Sequence, residues 1–268
     1  MQNQLITSAE WLAQNLDQPS LVIVDCRFVL ADPQLGHQQY LENHIPSAYY
    51  LDLNHDLSSP VQKHGGRHPL PDIDQFATKL SAMGITPETQ VVAYDDSRFA
   101  SAARLWWLLR YLGHDRVGVL DGGWTNWQKN GYPVSNEVPA PKLGNFTPHI
   151  RTDWVVDIEQ VKQQKDLANV VLVDSRDRDR YLGKYEPIDP VAGHIPGAVN
   201  YPWQTITDAQ GYLISDQKQR WAQVSDKEQI IVYCGSGVTA CVNLLSLEIA
   251  QILHAQLYPG SWSDWCSY

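Results

Sequence analysis

No run in this 268-residue chain approaches the ~18 consecutive apolar residues that a membrane-crossing helix needs. Basic charge is also short: 20 Lys and Arg stand against 30 Asp and Glu, a formal charge of −10. That balance argues against nucleic acid or an anionic membrane as a partner, and any anion site must be a local positive pocket in an acidic body. Cysteine is scarce. Cys26, Cys234, Cys241 and Cys266 match no zinc-ligand spacing and no Cys-x-x-Cys redox pair, so no metal is expected. The opening Met1 to Thr7 lacks the basic region and apolar core of a secretory leader, which makes a reducing cytoplasm the expected setting. The 43% of apolar residues supplies sizeable cores, and the length suits one or two domains.

One of the four cysteines sits in a distinctive context. Ile230 to Tyr233 reads as a buried strand, and Val242 to His254 has the apolar spacing of a helix. Between them runs Cys234-Gly235-Ser236-Gly237-Val238-Thr239-Ala240. In such a strand-to-helix turn, successive backbone N–H groups can converge on one point, and the helix terminus adds partial positive charge. A helix terminus alone supplies roughly 0.3–1 kcal/mol. Hydrogen bonds to a charged group add about 1.5–3 kcal/mol each. The loop amides therefore matter more than the helix, and two or three of them suffice to favour an ionised Cys234. Gly235 and Gly237 let the backbone curl, while Ser236 and Thr239 bring hydroxyl donors. The competing account is an inert buried cysteine, a common fate of that residue.

The heptapeptide Cys234 to Ala240 closely resembles the active-site loop of the sulfurtransferases, in particular the mercaptopyruvate type; thiosulfate sulfurtransferases usually carry Cys-Arg-Lys-Gly-Val-Thr-Ala instead. The rest of the chain is consistent with that resemblance because it says everything twice. Asp25-Cys26-Arg27 is echoed by Asp174-Ser175-Arg176, and Asn43 to Ala48 by Gly193 to Ala198. Val92 to Asp95 is echoed by Ile231 to Cys234, and Gly122 to Trp127 by Gly260 to Trp265. Four echoes in one order mark an internal duplication. The reading is an α/β protein of two rhodanese-like domains, each a mostly parallel sheet flanked by helices. Their expected bounds are 1–138 and 154–268, with a proline-bearing linker at 139–153. Asp95 stands in the first copy where Cys234 stands in the second. A carboxylate cannot carry a sulfane sulfur, so the first copy is expected to be catalytically inactive.

What the resemblance implies is a two-step transfer without metal or organic cofactor. Cys234 takes sulfur from 3-mercaptopyruvate or thiosulfate as a persulfide, and cyanide or a thiol such as thioredoxin or glutathione removes it. The implied contacts run through Gly235, Ser236, Gly237, Val238 and Thr239. In the mercaptopyruvate type two arginines hold the donor. Arg180 matches the first, whereas Ile188 occupies the second position, leaving Arg178, Arg67 or Lys184 to replace it. His68 is the nearest match to an assisting histidine, with Asp52 or Asp56 as its possible aspartate. The repeated His44 and His194, and Arg27 and Arg176, occur in both copies and read as structural. Three other functions stay in view. A cysteine phosphatase of this fold needs an arginine where Ala240 stands. The Gly-x-Gly-x-x-Ala spacing of a dinucleotide site lacks its acidic partner near His254. A non-catalytic persulfide carrier would show no turnover with small donors.

Overall fold

The strand signals are local and strong, and they define the architecture. In the computed structural model, which describes residues 5–268, nine strands form two all-parallel sheets. The first four residues of the opening stretch, Met1 to Gln4, lie outside the described residues. The strands are β1 (Ile6–Thr7), β2 (Leu21–Asp25), β3 (Tyr49–Tyr50), β4 (Gln90–Tyr94), β5 (Val117–Leu120), β6 (Val170–Asp174), β7 (Val199–Asn200), β8 (Gln229–Tyr233) and β9 (Ala255–Leu257). The first sheet has the order β1-β5-β4-β2-β3 and the second β7-β6-β8-β9. Read from the matching edge, β9-β8-β6-β7 repeats β5-β4-β2-β3. The register repeats too: Asp25 pairs with Tyr94 as Asp174 pairs with Tyr233. The isolated bridge between Val155 and Leu257 is the second unit's remnant of the β1 pairing.

Both central strand pairs are apolar along their length, as strands covered by helices on two faces must be. In the first unit Leu12, Ile23, Val92, Leu120 and Trp127 pack into one core; in the second, Val161, Leu172, Ile231, Tyr258 and Trp262 do so. The helix Ala102–Tyr111 is buried throughout, and its counterpart Ala240–Ile249 is buried from Ala240 to Leu247. The second helix ends earlier than its apolar spacing predicts. Ser8 caps the first helix, Ala9–Gln14, by accepting the Trp11 N–H at 3.2 Å, while Thr7 belongs to β1. Among the described residues no helix is long and apolar enough to cross a membrane.

The two units exchange short segments. One comprises residues 5–59, 71–151 and 208–213; the other comprises 60–70, 152–207 and 214–268. The stretch 139–151, expected as a linker, is strapped to the first unit by backbone bonds such as Lys142 to Ala82 and His149 to Leu112. Residues 60–70 lie far from Cys234 in sequence yet fold into its unit.

Candidate active site

Each unit places a buried aspartate and arginine at the carboxyl end of its second-strand equivalent. Asp174 and Arg176 are joined by a 2.7 Å ion pair, and Arg176 also donates to the Gly193 carbonyl at 2.6 Å and lies 4.8 Å over Trp262. Asp25 and Arg27 repeat this with Asn43 and Trp124. Burial works against the Arg176 charge, but Asp174 more than restores it and holds the guanidinium above its usual range. His44 and His194 each bond a backbone carbonyl, of Tyr40 and Tyr181, at 2.7 Å. Arg176 differs from Arg27 in one respect: its third nitrogen reaches Glu186 at 3.1 Å.

The crevice beside this pair is the point where the chain switches from β7 across β6 to β8, the position at which open α/β sheets bind ligands. Cys234 follows β8 directly and is 1% exposed. Its loop is pinned by two bonds: the Trp262 N–H donates to the Cys234 carbonyl at 3.0 Å, and the Ser263 N–H to that of Gly235 at 2.9 Å. Gly237 is required as glycine. Its φ is +76°, and a Cβ there would meet the Pro259 carbonyl oxygen at 2.4 Å. Held this way, the N–H groups of Gly235, Ser236, Val238, Thr239 and Ala240 have no acceptor among the described residues. Amides without acceptors are costly where they are buried, so five such groups in the short loop that follows Cys234 suit an anion. Val238 itself is buried, and the buried Cys241 donates to the Gly237 carbonyl at 3.4 Å.

Two guanidiniums lie against this loop. A Cβ on Gly235 would be 3.0 Å from an Arg67 nitrogen and 3.5 Å from one of Arg180. Arg180 bonds Glu186 at 2.7 Å and Asp189 at 3.2 Å, and Arg67 pairs with the other oxygen of Asp189. The Arg67 Nε is buried with no hydrogen-bond partner. Burial opposes the Glu186 charge, but Arg180 and the backbone N–H groups of Asp189 and Ile188 hold its carboxyl below the usual range. Burial pushes the Asp189 carboxyl up, against the pull of Arg67. Of the three replacement cations considered from sequence, Arg67 is the one the fold brings to the loop. Arg178 is exposed, Lys184 is 64% exposed and pairs with Asp179, and Ile188 faces outward. His68 is buried, and its Nδ1 lies 2.7 Å from the Ser236 hydroxyl. Asp52 and Asp56 serve their own unit: Asp52 accepts the N–H groups of Asn54 and His55, and Asp56 pairs with Lys79. Sequence reasoning missed Asp189 and Glu186 altogether.

The first unit shows what such a loop does with an anion. The Asp95 carboxylate accepts four backbone N–H bonds, from Ser97, Phe99, Ser101 and Ala102, at 2.9–3.1 Å. The cradle is intact there and already filled by its own side chain. Arg98, at the position equivalent to Gly237, takes a φ of 60° that L-residues rarely adopt. Burial lifts the Asp95 carboxyl from 3.8 to about 6, outweighing the backbone donors that lower it. A carboxyl whose folded value lies above its unfolded one binds its proton more tightly when folded, so its contribution to stability grows as pH falls from 7 through 6 to 4. Between those limits the wild type should gain on the order of 2 kcal/mol relative to Asp95→Asn. Urea midpoints of both proteins across that range check it, and parallel pH profiles would refute it.

A family model described as "Rhodanese-like domain" matches residues 8–130 and again 157–268. The chain is 42% identical over 98% of its length to a Pseudomonas aeruginosa protein named "Probable 3-mercaptopyruvate sulfurtransferase", covering 94% of that protein. It is 33% identical to the thiosulfate sulfurtransferase of Rattus norvegicus, over 97% of this chain and 91% of the relative. The solved structure of SseA from Escherichia coli, a 3-mercaptopyruvate sulfotransferase, superposes with a TM-score of 0.82 at 30% identity, covering 97% of this chain and 99% of that one.

Proposed function

The chain belongs to the rhodanese family and is a sulfurtransferase, and on that premise we propose that it moves sulfur from 3-mercaptopyruvate through a persulfide on Cys234 to a thiol or cyanide. The observation that carries this reading is the pair of guanidiniums, Arg67 and Arg180, against the residue that follows Cys234. A carboxylate-bearing donor needs two such forks, one for its carboxylate and one for its keto oxygen. The relatives include proteins named for either donor, and the cation pair is what favours 3-mercaptopyruvate in this reading.

In the first step the Cys234 thiolate attacks the donor sulfur. The new S–S bond forms as the C–S bond breaks, and the released electron pair leaves on pyruvate as its enolate. Negative charge now sits on the carbon side, and a proton must reach it. The Ser236 hydroxyl, 2.7 Å from the buried His68 ring, is the group placed to relay that proton. In the second step an acceptor thiolate, from thioredoxin, glutathione or another small thiol, attacks the outer sulfur and restores the Cys234 thiolate. Cyanide does the same to give thiocyanate. The unpaired loop amides serve the sulfur anion before and after each step, so nothing has to reorganise between them.

The deciding experiment compares kcat/KM for 3-mercaptopyruvate and thiosulfate in wild type, Arg180→Ala and Arg67→Ala. Losing one fork should cost roughly 10²-fold with mercaptopyruvate, and clearly less with thiosulfate, which has no carboxylate or keto group to place. Equal losses with both donors would remove the carboxylate-binding role.

A further inference from the structure

The donor site has no spare positive charge. Three buried or half-buried guanidiniums, Arg67, Arg176 and Arg180, face three carboxylates, Asp174, Glu186 and Asp189. Adding an anionic donor to that balanced set would bury an uncompensated charge, which is strongly unfavourable. One carboxylate must therefore yield when a donor enters. Asp174 cannot, because it sits at the end of β6 with no exposure and a buried partner. Glu186 is held by two arginines and two backbone N–H groups. Asp189 is held differently. Its side chain is 2% exposed, yet its carboxylate oxygens are held by the two guanidiniums that lie over the Cys234 loop, one oxygen to each.

We propose that Asp189 is an exchangeable counter-ion, a resident carboxylate that holds Arg67 and Arg180 in place between turnovers and surrenders them to the carboxylate and keto oxygen of the donor. This rests on the reading of the Cys234 loop as the acceptor of an anionic sulfur donor. Asp189 gives one oxygen to each fork, as the carboxylate and keto oxygens of a donor would, and the buried, unpartnered Nε of Arg67 is a further hydrogen bond available to an incoming group. The chain around Asp189 allows it to leave. Between the short helix Arg178–Tyr181 and β7 it has no regular structure, and its neighbours Pro187, Ile188 and Pro190 are exposed. The Trp262 indole anchors the far end at the Val191 carbonyl, 2.9 Å away, so the movement is confined to the residues before it. Asp189 is on this account a specificity-determining residue: a donor must offer an anion good enough to replace it, and neutral persulfides or water do not open the roof above Cys234.

The test uses pyruvate, which carries the carboxylate and keto groups of the donor without its sulfur. Pyruvate is titrated by calorimetry into Cys234→Ser protein with Asp189 intact and with Asp189→Asn. Removing the internal competitor should tighten pyruvate binding about 10-fold, the weight of one charge-assisted hydrogen bond. In protein that retains Cys234, the same substitution should lower KM for 3-mercaptopyruvate by a similar factor, the gain appearing in KM rather than kcat. If Asp189 only keeps the arginines ordered, both constants will rise, and the proposal is wrong. Should Asn disturb the turn, Asp189→Ser removes the charge with a smaller side chain and is read in the same way. Pyruvate binding requires no sulfur transfer, so a failure of the transferase mechanism at Cys234 is seen separately, as turnover surviving Cys234→Ser.

Discussion

Cys234→Ser is expected to abolish sulfur transfer from either donor, a loss of roughly 10⁴–10⁶-fold of the kind that follows removal of a covalent nucleophile. The hydroxyl is nearly isosteric with the thiol, and the residue is enclosed, so the loop has no reason to rearrange. The Trp262 and Ser263 amides bond main-chain carbonyls of the loop and not the cysteine side chain, so the substitution leaves them in place. Thermal midpoints of the two proteins should accordingly lie within a few degrees. What disappears is the chemistry: an alkoxide cannot form at neutral pH, and no S–S bond can be made. Intact mass spectrometry after exposure to donor should show the wild type heavier by one sulfur atom and the variant unchanged. Transfer at more than a thousandth of the wild-type rate in Cys234→Ser would mean that the sulfur travels another way.

The second large effect is on stability. Arg176→Met should destabilise the protein by about 3–5 kcal/mol, the cost of breaking a buried ion pair by removing one partner. Arg176 is 1% exposed, and without it the fully buried Asp174 loses a bidentate partner and Glu186 loses one of its two arginines. The lost bond to the Gly193 carbonyl and the lost stacking on Trp262 act in the same direction. For a chain of this size the thermal midpoint should fall by about 10 °C. Arg27→Met provides the control. It removes the same pair from the first unit, with the same cost to folding, but Arg27 has no link to the glutamate that holds Arg180. Its donor KM should therefore stay near wild type, whereas that of Arg176→Met should rise as Glu186 and Arg180 loosen. A midpoint shift below 2 °C for Arg176→Met would show that solvent reaches Asp174 despite its burial.

How much could be read beforehand depends on the range over which each signal acts. The strand at Ile230 was legible because a strand covered on both faces is a continuous apolar run in any context. The strand at Ala255–Leu257 was not, since three residues with a central Gln256 carry no such run. The Cys234 loop was legible because it lies in seven consecutive residues whose glycines answer to local backbone geometry. Arg67 was visible only as one candidate among three, and its choice came from the fold. Its ion pair spans 122 residues of sequence, and no local pattern encodes a contact of that range. Asp189 gave no signal at all, because an acidic residue between two prolines in an exposed stretch looks like any solvated turn.

By itself the sequence determined that this protein is a duplicated α/β sulfurtransferase with one cysteine in a strand–loop–helix turn, since repeats, strand runs and the loop motif are all properties of neighbouring residues. The tertiary structure alone decided how the charges are shared: Asp95 fills the cradle of its own copy, Arg67 joins Arg180, and Asp189 sits between them. Electrostatic balance in a buried site depends on distances across the fold, and those exist only once the chain has closed on itself.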